Sequence, residues 1–141
     1  MGNTGYAGDI TVQQAWDLLE ENPEAVLVDV RTDAEWKYVG VPDTSSIGRQ
    51  TLLIEWVSFP TGARNDNFVD QLKEAGLTPG ERPVVFLCRS GQRSIGAAKT
   101  ATAAGIGPSY NVLEGFEGPI DKQGHRGGSG WRAHGLPWKQ S

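Results

Sequence analysis

The chain has 141 residues, a formal net charge of -4 and ordinary apolar and charged fractions of 38% and 21%, which bound it to one compact domain without room for two cores. Nothing approaches the roughly 20 apolar residues that cross a bilayer, and acidic and basic residues are interspersed rather than gathered in a basic stripe. Membrane and nucleic-acid partners are not expected.

The start, residues 1–8, is small and polar and is expected to be flexible. It has neither the charged n-region nor the apolar run of a signal peptide, and Tyr6 stands where a myristoylation motif wants Ser or Thr. A cytoplasmic location is the expectation. Thr11 and Gln14 form a capping box, and Val12, Ala15, Trp16 and Leu19 follow at helical spacing, so a helix is predicted over 12–21. Val26 to Val30 is a β-branched run that predicts a strand, after which Thr32 caps a short helix through Asp33, Ala34, Glu35 and Trp36.

Thr51 to Ile54 predicts a further strand, and Asp66 to Ala75 a helix stopped by Gly76. Val84-Val85-Phe86-Leu87 is apolar on both faces, which suits a central parallel strand. The small-residue stretch from Ile95 to Ala104 predicts a helix packed close to a sheet, and Tyr110 to Leu113 the last strand. Strands alternating with helices point to a parallel, doubly wound sheet with ligands at the carboxyl ends of the strands. Beyond Gly115 the chain is glycine-rich and loop-like.

A single cysteine, Cys88, rules out an internal disulfide, and with His125 and His134 it gives three soft ligands, short of a closed zinc site. No metal or organic cofactor is implied. Cys88 follows the apolar strand directly and opens the loop Cys88-Arg89-Ser90-Gly91-Gln92-Arg93-Ser94, which runs into the next helix. A loop closing on a helix start can turn successive N–H groups inward, and with the helix dipole these donors make an anion site. Gly91 lets the chain curl, and Arg89 and Arg93 add positive charge, so at Cys88 the thiolate, the form that attacks or carries sulfur, is expected to be favoured over the thiol. Arg89 fits either a solvated side chain or a site cation. Arg93, beside the helix start, is better placed to hold an oxyanion in a forked geometry.

The segment from Cys88 to Ser94 resembles the active-site loop of the rhodanese family. Asp29-Val30-Arg31 followed by Glu35-Trp36 resembles that family's Asp-Val-Arg and Glu-aromatic pattern, and Gly115-Phe116 with Gly135-Leu136-Pro137 resembles its closing segment. The resemblance implies an α/β fold over a single domain, 1–141, with a central five-stranded parallel sheet and helices on both faces. It implies a thiosulfate sulfurtransferase working by a ping-pong mechanism, with Cys88 as the catalytic residue and Arg89, Ser90, Gly91, Gln92, Arg93 and Ser94 around the substrate. The donor would be thiosulfate or another persulfide and the acceptor a thiol, cyanide or a protein. Asp29 and Arg31 would organise the pocket floor, in a structural rather than catalytic role.

Two departures stand out. Gly40-Val41-Pro42-Asp43-Thr44 replaces a segment that often carries a histidine, and residues 117–130 form a glycine-rich insertion containing His125 and Arg126. The insertion fits either a specificity loop over Cys88 or an ordinary surface loop. Trp131, Leu136 and Trp138 are expected to anchor the tail against the core. Three other functions compete. A thiolate phosphatase of the same fold needs a loop one residue longer, a cysteine hydrolase needs a histidine base that only His125 or His134 could supply, and a non-catalytic binding module would not need the intact loop.

Overall fold

The computed structural model describes residues 5–49, 51–57, 63–78, 80, 82–118, 122–124 and 128–139. Five parallel strands form the main sheet: β1 (Gly8–Ile10), β2 (Val26–Asp29), β4 (Thr51–Leu53), β5 (Val84–Leu87) and β6 (Ser109–Val112), in the order β1-β6-β5-β2-β4. The helices are α1 (Val12–Glu21), α2 (Asp33–Tyr38), α3 (Phe68–Glu74) and α4 (Arg93–Ala103). A separate antiparallel pair joins β3 (Val41–Pro42) to β7 (Trp138–Lys139). The fold is the expected α/β, rhodanese-like architecture. No helix among the described residues is long and apolar enough to cross a membrane.

Strand periodicity divides the core in two. Val26 and Val28 of β2 and Val84 and Phe86 of β5 join Phe68, Leu72, Ala97, Ala98 and Ala101 in one buried cluster, which places α3 and α4 on that face. Leu27, Val85 and Leu87 point the other way, to Val12, Ala15 and Leu19 of α1. Every residue of β2 and β5 is buried, as strands covered on both faces require. Cys88 continues the alternation from Phe86 and lies in the α3–α4 cluster.

The expected capping box forms at α1, and the cap at Thr32 proves to be a second one. Thr11 Oγ1 accepts the Gln14 N–H while the Gln14 side chain accepts the Thr11 N–H, and Thr32 and Glu35 do the same for α2. The helix expected over 66–75 starts later, at Phe68, because Asn65 is spent on a turn. Its Oδ1 accepts the Asn67 N–H and its Nδ2 donates to Glu55 O and Gln71 Oε1.

Three short strands have no signature in the sequence. Gly8, expected with the flexible start, opens β1, which pairs Gly8 with Tyr110, Asp9 with Asn111 and Ile10 with Val112. Ala7 already donates to Ser109 O at 2.8 Å. The other two are β3 and β7, so Tyr110 to Leu113 is not the last strand. Two-residue strands, one ending in Pro42 and the other following Pro137, carry no periodicity to read.

The tail is core. Phe116, Trp131 and Leu136 are buried, Trp131 meets the Trp16 ring edge-on at 5.8 Å between centroids, and its Nε1 donates to Pro137 O at 2.7 Å. Trp138 is 40% exposed and covers Gly40 and the edge of Phe116. Trp131→Ala is therefore expected to cost about 3–5 kcal/mol in urea denaturation. A loss below about 1 kcal/mol, the range of an ordinary surface substitution, would show that the tail is an appendage.

Candidate active site

In this strand order the chain moves outward from β2 to β4, then returns to the other side of β2 with β5. The crevice of an open α/β sheet lies at that switch point, outside the carboxyl ends of the strands. The segments that leave β2 and β5 there are Val30-Arg31-Thr32 and Cys88 to Gln92. Cys88 is only 1% exposed. Its Sγ accepts the Gly91 N–H at 3.2 Å and stands 3.2 Å from Ser94 Oγ, on the first turn of α4.

The loop owes its shape to partners outside it. Cys88 O accepts from Phe116 N at 2.8 Å, Arg89 O from Glu117 N at 3.0 Å and Gly118 N at 3.2 Å, and Gly91 O from Asn111 Nδ2 at 3.2 Å. In a trans peptide the N–H points opposite to the C=O. Pinning these carbonyls therefore turns the N–H groups of Arg89, Ser90 and Gln92 away from those partners. Gly91 has φ +96°, and a Cβ there would lie 2.0 Å from Leu113 O. Gly115 makes the reverse approach, where a Cβ would lie 2.5 Å from Cys88 O.

Arg93 is differently employed than expected. The fork of Arg93 is closed on Glu35, Nη1 to Oε1 at 2.8 Å and Nη2 to Oε2 at 2.9 Å, so it does not present that fork to a substrate oxyanion. Burial works against the Arg93 charge, and Glu35 with Cys88 behind it more than restores it, leaving the guanidinium pKa raised. Burial likewise works to raise the Glu35 pKa, but hydrogen bonds from Arg93 and Thr32 and the Arg93 charge hold it below the usual 4.5. Arg89 is 45% exposed and pairs with Glu117 at 3.3 Å. Of the remaining loop residues, Ser90 is half-buried, while Gln92 is exposed and its side chain does not cap α4.

Asp29 and Arg31 are fully buried and face one another. Arg31 Nε donates to both Asp29 oxygens, at 2.9 and 3.1 Å, and Nη2 donates to Asp29 Oδ2 at 2.7 Å and to Gly40 O at 2.6 Å. The guanidinium lies 4.2 Å from the centre of the Phe116 ring. The pair thus ties the end of β2 to the turn before β3 and to the tail.

Residues outside the expected set complete the site. Glu35, expected only within the short helix and its Glu-aromatic pattern, closes the capping box of α2 and also holds Arg93. Asn111 is fully buried in β6, where it meets Ser94 and Asp9. A polar residue inside the apolar run Tyr110-Asn111-Val112-Leu113 was the available signal. Of the insertion, Glu117 and Gly118 touch the loop through Arg89, whereas His125 and Arg126 lie outside the described residues. His134 pairs with Glu114 at 3.1 Å.

The chain is similar to several known proteins. The family model described as the STR4 middle domain matches residues 7–141. The crystal structure of Rv0390 from M. tuberculosis is 60% identical, with TM-score 0.88 over 96% of this chain and 99% of that one. The uncharacterized protein RP600 homolog of Rickettsia rickettsii is 34% identical over 93% of this chain and 96% of its own length. A polysulfide-sulfur transferase homodimer from Wolinella succinogenes is 29% identical, with TM-score 0.63 over 97% of this chain and 80% of that one. A rhodanese-like domain protein from Staphylococcus aureus is 25% identical, with TM-score 0.56 over 77% and 86%.

The Glu35–Arg93 pair makes a pH-dependent contribution of definite sign. A carboxyl whose folded value is depressed stabilises the fold above its unfolded value, and the gain is lost as pH falls through the folded value. Glu35→Gln should therefore cost about 1–2 kcal/mol near neutrality, a range reduced by partial exposure of both groups. The cost should shrink once pH drops below 4.5. Denaturation midpoints of both proteins across that range test this, and a constant difference would deny the pair its role.

Proposed function

The chain belongs to the STR4 middle-domain family, and we propose that it is a sulfurtransferase carrying one sulfane sulfur as a persulfide on Cys88. The observation that carries this reading is a buried sulfur met by the Gly91 N–H and by the Ser94 hydroxyl, each at 3.2 Å. A thiolate and the anionic terminal sulfur of a persulfide both need donors and fixed positive charge where water is scarce. The N-terminus of α4 and the Arg93 charge supply the second requirement.

In the first half-reaction the Cys88 thiolate attacks the outer sulfur of thiosulfate. An Sγ–S bond forms, the S–S bond of the donor breaks, and sulfite leaves with the electron pair. A thiolate or cyanide acceptor then attacks the terminal sulfur, and the pair from the broken Sγ–S bond returns to Cys88. A persulfide or polysulfide donor reacts by the same steps, and the name of the Wolinella succinogenes relative supports that class. A protein acceptor fits the second step equally.

We assign Ser90, Gly91, Gln92 and Ser94 to the wall around the transferred sulfur, Arg89 to its exposed rim, and Asp29 and Arg31 to the support beneath. Arg93 acts through its charge and its hold on Glu35. A phosphatase reading is disfavoured by the short loop and by an arginine fork already occupied.

Incubation with thiosulfate should add about 32 Da per sulfur to the intact mass, reversibly by reductant, and Cys88→Ser should show no gain. A gain retained in Cys88→Ser would end the proposal. No gain with either thiosulfate or polysulfide, while the thiol still alkylates, would favour a binding module.

A further inference from the structure

We propose that Asn111 is a positioning residue that governs the single hydroxyl proton of Ser94, withholding it from Cys88 until the sulfur is negatively charged. The inference deepens the sulfur-transfer reading and rests on it for its purpose, but not for its test.

Ser94 Oγ lies within hydrogen-bond distance of two atoms, Cys88 Sγ at 3.2 Å and Asn111 Oδ1, which is nearer still. A hydroxyl has one proton to give. Which atom receives it depends on which way the Asn111 amide is turned. Its Nδ2 donates to Asp9 Oδ1 at 3.0 Å and to Gly91 O at 3.2 Å, and both of these atoms can only accept from it. A flipped amide would set oxygen against a carboxylate and a carbonyl. Oδ1 must therefore face Ser94, where it can act only as an acceptor. The sheet itself enforces this, because Asp9 and Asn111 are register partners in β1 and β6.

Two states follow. When the sulfur is a neutral thiol, Ser94 donates to Asn111 and its lone pairs are free to accept the S–H. When the sulfur is a thiolate or a persulfide anion, the Ser94 proton must turn to it, and two oxygens are left facing one another. A hydrogen bond to a charged acceptor is roughly twice as strong as one between neutral groups. The proton moves to the sulfur against the opposition of Asn111, and returns when the charge is gone.

Other charged groups meet at this loop: Arg89 with Glu117, Arg93 with Glu35, the Asp29–Arg31 pair at the end of β2, and Asp9 on β1. They would influence the thiol whether or not Ser94 has a hydroxyl. Only the proton contest disappears when that hydroxyl is removed.

The test is alkylation of Cys88 by iodoacetamide, followed by intact mass. The ratio of the rate at pH 7 to the rate near pH 10 cancels differences in access. Asn111→Val should raise this ratio about three- to tenfold by releasing the proton to the sulfur, and Ser94→Ala should lower it. In a Ser94→Ala background, Asn111→Val should leave the ratio unchanged. An equal rise in both backgrounds, or none in the first, would overturn the inference.

If Asn111→Val does not fold, because Gly91 O loses its donor, Asp9→Ala decides on an exposed residue. Freeing one side of the amide should raise the ratio at least twofold, again only while Ser94 keeps its hydroxyl, and no such dependence would overturn the inference. A Ser94-dependent effect in a chain that accepts no sulfur would support this inference while sinking the sulfur-transfer proposal.

Discussion

β5 must be buried on both faces, and most of the architecture answers that demand. Val84 and Phe86 need α3 and α4 on one side, while Val85 and Leu87 need α1 and the tail on the other. A strand so enclosed can meet solvent only beyond its ends. Its carboxyl end is where β2, with the chain reversed around it, leaves a crevice. Cys88 stands at that end, but its side chain continues the inward alternation of Phe86, so its thiol is set back from the surface, beneath its own loop.

That loop is short and has few internal bonds, and its neighbours hold it. The segment from Asn111 to Gly118 takes up the carbonyls of Cys88, Arg89 and Gly91, which leaves the N–H groups of Arg89, Ser90 and Gln92 on the other side. From the opposite flank, Glu35 does two tasks with one carboxylate. Oε1 and Oε2 close the Arg93 fork, and Oε1 also accepts from the Thr32 backbone that starts α2. A helix cap and the anchor of the cysteine loop are thus a single group.

Much of this was legible in the sequence, for reasons that differ by element. The caps at Thr11 and Thr32 are local chemistry, and the double-faced run at Val84 is a burial pattern, so both could be read without knowing the fold. The Cys88 loop was legible because Gly91 and the strand before it have few alternatives. Arg93 was misread because a fork suited to an oxyanion is equally suited to a carboxylate, and Glu35 stands 58 positions earlier, on a different helix. β1, β3 and β7 were illegible because Gly8-Asp9-Ile10 carries no apolar run and β3 and β7 have two residues each, so their partners define them. Asn111 is intermediate: its polarity in an apolar run marks it as unusual, but its register with Asp9 requires the sheet.

The backbone contacts at Gly91 and Gly115 bear on how such a protein can vary. The two segments meet main chain to main chain, and a side chain at either position would drive into a carbonyl of the other. Neither residue can drift alone, and no single exchange at one makes room for the other. Variation is channelled instead to Arg89 and Gln92, whose side chains are exposed on the same loop. A lineage, or a designed library, can therefore recolour the outer face of the loop extensively while the curve of the chain around the sulfur stays fixed.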